Sequence, residues 1–288
     1  MKNEEKNSKL NKIALSARKS CIKMSAGGGC FLGASLSCVD ILTFLYCEYL
    51  NVNLNNLKSP DRDYLFLSKG HDVPALYSIF AELGFISKER LNNHLSTEDY
   101  LYWHPNTNIP GVEFHSGSLG HLASVAIGVA LDCKKKNAKN KIIVILGDGE
   151  LNEGSVWEAF LFASTAKLNN LIFVIDRNFF QANKRTEELI QLEPLKQKFE
   201  AFGILTQEIN GHSFDELRQA FEFVDNNKSF EKPFAIIART KRGKGLPSIE
   251  ERADRWFCKF TNDEVNQLLL ELENDYIATI QSETIIAR

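Results

Sequence analysis

No two cysteines in this 288-residue sequence are spaced as Cys-x-x-Cys, and the six of them (Cys21, Cys30, Cys38, Cys47, Cys133, Cys258) suggest neither a disulfide framework nor a zinc site. Cys38 and Cys47 fall within a helical apolar pattern, where a thiol acts as a small hydrophobe. No apolar run approaches the roughly 18 residues that a membrane-spanning helix needs. The polar start, Met1 to Lys6, precedes no apolar signal core, so the expected localisation is cytoplasmic. Charge of one sign is not in excess either. Lys and Arg number 34 against 37 Asp and Glu, a net charge of −3, which excludes a global field that recruits nucleic acid. The run Lys134-Lys135-Lys136 reads as a solvated helix end. Internal repeats, low-complexity tracts and convincing linkers are also missing. The expected organisation is a single domain over residues 1–288, with N-terminal helices over 8–50 and a C-terminal extension over 241–288.

What is present is an alternation of helices and strands. Residues 8–24 and 36–50 have apolar residues at helical spacing, with Asp40 assigned to the polar side. A short strand, Tyr64 to Leu67, runs into Ser68-Lys69-Gly70, and a helix follows from about Ala75 to Leu83. Residues 96–115, with scattered Pro, Asn and Gly, read as a long loop. Beyond it come a helix over 119–134, the strand KIIVIL (141–146), a helix over 153–167 and the strand LIFVID (171–176). Helices near 195–202 and 214–224 then alternate with strands at 204–209 and FAIIA (234–238). Continuous apolar strands separated by amphipathic helices predict an α/β doubly wound parallel sheet covered on both faces.

In such a sheet, ligands gather beyond the carboxyl ends of the strands. KIIVIL is followed by Gly147-Asp148-Gly149-Glu150, LIFVID by Arg177-Asn178-Phe179-Phe180, and FAIIA by Arg239 to Gly245. Glycines beside Asp148 allow close approach of an anion, and the helix starting near Glu153 offers free N–H groups. A carboxylate beside an anion makes sense only with a hard cation between them. Magnesium suits the oxygens of Asp148 and Asn178, which one βαβ crossover brings to the same edge. Taken alone, either motif is better read as an ordinary turn.

The block GDGELNEGSVWEAFLFASTAKLNNLIFVIDRNFFQ (147–181) resembles the thiamine-diphosphate motif of transketolases. ASLSCVDILTFLY (34–46), DRDYLFLSKGHDVPALYSIFAELGF (61–85), HPNTNIPGVEFHSGSLGHLASVAIGVAL (104–131) and TKRGKG (240–245) follow the order of that family's N-terminal segment. The resemblance covers about residues 10 to 270 and implies the diphosphate-binding domain of the thiamine-diphosphate fold. It implies Asp148, Asn178 and the Phe180 carbonyl as ligands of Mg2+ or another divalent cation. It places Gly149 against the diphosphate, Gly117-Ser118-Leu119 against the cofactor, and Arg242 near it. Glu153 matches a Glu that joins the cofactor-binding halves. His71 matches a cofactor-contacting His, and His104 one that meets reacting substrate; ordinary turn or loop roles are the alternatives for both. His121 stands where the family has Gln or His. Trp157, Glu158 and Ala159 belong to the family helix but read as packing, and His94 and His212 read as surface residues.

Two positions depart from the pattern. Phe31 and Phe257 stand where the family carries histidines that face the sugar, which removes donors, acceptors and proton carriers. The pyrimidine-binding domain, with its activating Glu, also has no counterpart in the sequence. The resemblance therefore implies the N-terminal subunit of a split transketolase. It would move a two-carbon ketol unit to an aldehyde once a separate C-terminal subunit completes the site, as paired heterodimers. Two other readings remain open: a carboligase or decarboxylase using a 2-oxo acid donor, and a non-catalytic cofactor-binding subunit. No nucleic acid or membrane partner is expected.

Overall fold

The computed structural model describes residues 2–282. Helices α1 (Lys2–Met24) and α2 (Leu32–Phe44) open the chain, and α2 runs on into a π-helical turn at Leu45–Tyr49. There follow β1 (Tyr64–Leu67), α3 (Val73–Glu82), α4 (Leu122–Lys135), β2 (Ile142–Gly147), α5 (Gly154–Thr165) and β3 (Leu171–Arg177). A hairpin of two-residue strands, β4 (Phe180–Gln181) and β5 (Lys184–Arg185), precedes α6 (Thr186–Leu189) and α7 (Leu195–Ala201). Then come β6 (Leu205–Asn210), α8 (Phe214–Asn226), β7 (Phe234–Arg239) and α9 (Asn262–Glu273).

Five strands form one parallel sheet in the order β1-β2-β3-β7-β6. The period of two along each strand divides its side chains between two cores. In β2, Ile143 and Ile145 pack with α1, α2, α3 and α8, whereas Ile142, Val144 and Leu146 pack with α4, α5 and α7. The same alternation runs through β3 (Ile172 and Val174 against Leu171, Phe173 and Ile175) and β7 (Phe234 and Ile236 against Ala235 and Ile237). Both faces being covered is why these strands read as unbroken apolar runs. The expected doubly wound sheet is the one observed, with helix and strand limits shifted by a few residues.

Three local expectations need correction. Asp40 does not face water. All of α2 is buried, and the Asp40 carboxylate takes two bonds from the Arg18 guanidinium on α1 (2.9 and 2.7 Å) and one contact from His212 Nδ1 (2.7 Å). Burial opposes this charge, but Arg18 and His212 outweigh it and hold the carboxyl down to about 2. His212 is thus drawn under the molecule, and His94 is only 5% exposed. Within the residues after Lys241, α9, entered through a Thr261–Glu264 capping box, packs against α1. The part of this extension at 283–288 lies outside the described residues. Among the described residues, no helix is long and apolar enough to cross a membrane.

Candidate active site

The carboxyl ends of β1, β2, β3 and β7 surround one cavity of about 330 Å3. Parallel pairing of β2 with β3 sets Gly147 opposite Asp176, so the residues that follow each strand emerge side by side. Of the residues expected at the site, all but Ser118 line this cavity; the Ser118 side chain is exposed, 3.3 Å from His121 Nδ1.

Asp148 is 1% exposed. Its Oδ1 accepts from the Gly149 amide (2.8 Å), and its Oδ2 accepts from the Phe179 amide (2.6 Å) and from Arg177 Nη1 (3.1 Å). Burial nevertheless raises this carboxyl to about 6, against the pull of Arg177. Asn178 caps the next turn, where its Oδ1 accepts from the Phe180 amide at 3.1 Å. That turn carries Phe179 through the left-handed region at φ +69° and aims Phe180 at the cavity.

Below these groups lies a buried ionic cluster. The Lys69 ammonium pairs with both Asp72 and Asp176, and Asp176 also accepts from the hydroxyls of Ser37 and Thr240. Burial opposes both charges, yet mutual attraction lifts the Lys69 pKa and depresses that of Asp176. Cys38, Asp72 and Asp176 are close enough together to suggest a metal site, but the ammonium already compensates the two carboxylates. Its work is positional: Asp176 Oδ2 holds the Asn178 amide nitrogen at 3.3 Å.

Two further features shape the walls. Glu150, 2% exposed, accepts from the Gly120 amide (2.9 Å), the Gly147 amide (3.2 Å) and the Ser68 hydroxyl, tying the strand ends of β1 and β2 to the segment that enters α4. Gly117, at φ +128°, lies flat on the His104 ring, and a Cβ there would stand 2.6 Å from His104 Cδ2. Arg242 is 2% exposed and gives one nitrogen to the Ala182 carbonyl. Its Nε and Nη2 have no partner, and burial lowers it to about 10. Buried guanidinium donors without acceptors, facing a cavity, mark a place for an anion.

His71 and His104 also line the cavity. Burial lowers the pKa of both, at His71 despite Asp72 Oδ1 lying 3.4 Å from Nε2, so each ring is neutral near pH 7. A neutral imidazole offers one donor and one acceptor. Beside them Phe31 meets His71, Trp256 and Phe257 at ring-centroid distances of 5.3, 5.1 and 5.3 Å.

Sequence reasoning missed Lys69, Asp72, Glu150 and Asp176 as parts of this site. Signals existed: Lys69 shares a tetrapeptide with His71 at a strand end, and Asp176 is a charge inside an apolar strand.

A doubly wound sheet whose strand ends collect a carboxylate, an amide and an unpartnered guanidinium around one cavity defines an α/β site for an anionic cofactor. The family model described as "Transketolase, thiamine diphosphate binding domain" matches residues 11–281, and the chain belongs to the transketolase family. It is 38% identical over 270 residues to one of the subunits of the apulose-4-phosphate transketolase of Actinobacillus succinogenes, covering 92% of this chain and 96% of that protein. The 6-deoxy-6-sulfo-D-fructose transketolase subunit SqwG of Clostridium sp. (strain MSTE9) is 36% identical, with 85% and 88% covered. The crystal structure of Campylobacter jejuni transketolase superposes with a TM-score of 0.80 at 29% identity, covering 93% of this chain but 44% of that one. The chain thus spans under half the length of that transketolase, and nearly the whole length of the relative from Actinobacillus succinogenes, which is itself one subunit of its enzyme.

Proposed function

We propose that this chain is the diphosphate-binding subunit of a two-chain transketolase. With a separate subunit that carries the pyrimidine-binding domain, it transfers a two-carbon ketol unit from a sugar donor to an aldehyde acceptor. The observation that carries the reading is the convergence of Asp148, Asn178 and the free donors of Arg242 on one cavity at adjacent parallel strand ends. Relatives similar over most of their length are named as single subunits of transketolases, which supports a partner chain, and paired heterodimers are the assembly proposed here.

The residues present fit thiamine diphosphate with a divalent cation. The buried, unpartnered donors of Arg242 suit the anionic end of the cofactor. The Asp148 carboxylate, the Asn178 amide oxygen and the Phe180 carbonyl supply hard oxygen ligands suited to Mg2+. Gly117, Leu119, Gly149, Glu153 and Arg242 would line the cofactor. When bound, thiamine diphosphate supplies the electron sink for carbon–carbon bond cleavage and formation.

The chain's own residues do the rest. Arg242 neutralises the anionic end, and the Lys69–Asp176 pair keeps Asn178 in place. Neutral His71 and His104 each present a donor and an acceptor to reacting oxygens, and so hold or pass a proton without carrying charge. The test is calorimetry of thiamine diphosphate binding to the assembled complex with and without Mg2+. Binding should require the cation in the parent complex. The Asp148→Ala variant should lose affinity by at least the roughly 10–100-fold seen when even outer metal partners are removed. Unchanged binding and turnover in that variant would refute the assignment.

A further inference from the structure

One wall of the cavity is built of rings. Phe31 and Trp256 face the space, while Phe257, 6% exposed, backs them. Trp103 stacks on Phe257 at 5.2 Å with an interplanar angle of 13°, and its ring stands 6.2 Å from that of Phe31. The two segments are clamped together where Cys30 and Cys258 exchange backbone hydrogen bonds of 2.9 Å in both directions. Gly29 makes room for the backing ring. Its φ is +95°, and a Cβ there would stand 2.4 Å from Phe257 Cζ. The wall is therefore assembled from chain positions more than 200 residues apart (29–31 and 256–258), each fixed by backbone as well as by packing.

We infer that Phe31 and Trp256, braced by Trp103 and Phe257, are specificity-determining residues that select an aldehyde acceptor poor in hydroxyls at the carbons beside its carbonyl. The inference rests on the ketol-transfer reading above. A two-carbon ketol unit brings one hydroxyl and one carbonyl oxygen, and His71 and His104 provide the polar ring atoms for them. The wall itself offers two ring surfaces and a single indole N–H. A sugar-like acceptor would press its hydroxyls against phenyl carbons and leave them without partners. A deoxygenated or carbon-branched aldehyde would bury C–H groups there instead. An apolar wall discriminates against an added hydroxyl by about 10- to 100-fold.

The test uses the chain assembled with its partner subunit, thiamine diphosphate and Mg2+, with hydroxypyruvate as donor. Propanal and D-glyceraldehyde, which differ only in two hydroxyls, are the competing acceptors. The parent complex should show a kcat/KM for propanal at least about tenfold above that for D-glyceraldehyde. Phe31→His, which adds a donor and an acceptor, should shift that ratio about tenfold toward D-glyceraldehyde, whereas Phe31→Leu should preserve the preference. Cofactor calorimetry and the thermal midpoint of each variant show that the site is intact. A parent complex that prefers D-glyceraldehyde, or a Phe31→His complex that turns over with an unchanged ratio, overturns the inference and leaves the ketol-transfer reading standing. A cofactor-loaded complex that yields no product with either acceptor overturns both.

Discussion

Asp148 receives three hydrogen bonds on two oxygens and is still pushed up to about 6, because burial costs its charge more than Arg177 returns. A carboxylate in that state gains more from a cation than an exposed one does. His94 shows the same physics in a structural position. Buried and lowered to about 4, it stays neutral in the fold while an unfolded histidine protonates near 6.5. Below pH 6.5 the unfolded chain therefore binds a proton that the folded chain refuses. Stability should fall by on the order of 3 kcal/mol between about pH 6.5 and pH 4 from this residue. Urea titrations across that range should show the slope reduced in His94→Gln; an identical slope in both would exclude His94 as its source. Nothing in the sequence around His94 marks it as buried, since it ends a short 3-10 segment in which only Leu91 is apolar.

At the scale of elements, α2 explains why some of the fold was hidden. All thirteen of its residues are buried, so periodicity has no polar face to reveal, and Asp40 reads as solvent-facing. Its partners lie on α1 and in the turn before α8, contacts that sequence distance conceals. Breaking such a buried pair typically costs about 3–5 kcal/mol. Asp40→Asn should destabilise the chain by that order in denaturant unfolding, and a loss below about 1 kcal/mol would show that the pair is replaceable. The apolar strands, by contrast, were legible because a run covered on both faces needs no partner to identify it. The β4–β5 hairpin was not, since two-residue strands carry no period. The aromatic wall was half visible: Phe31 and Phe257 could be named from sequence, but their contact depends on the Cys30–Cys258 bridge. Gly29→Ala, strained in φ and blocked by Phe257, should lower stability by more than the roughly 1 kcal/mol that a compatible glycine replacement can add. A thermal midpoint unchanged from the parent would mean that the loop adapts freely.

For the whole molecule, the proposed function assigns completion of the site to another chain. Without a partner, but supplied with thiamine diphosphate, Mg2+ and substrates, this chain should turn over nothing measurable. Activity should appear in proportion to the amount of partner added, with size-exclusion chromatography showing one mixed assembly. Turnover by the isolated chain would remove the two-chain proposal. Composition and charge limited the classes of partner. Which polypeptide fills the role lies on a surface that one sequence does not describe.

The strand order has a consequence for biosynthesis. β7, residues 234–239, slots between β3 and β6, yet it leaves the ribosome after every other strand. Until then β3 exposes an unpaired hydrophobic border, the kind of edge that recruits neighbouring chains. A nascent chain stalled before residue 234 should therefore be held by chaperones or aggregate, and one released after residue 239 has its sheet complete.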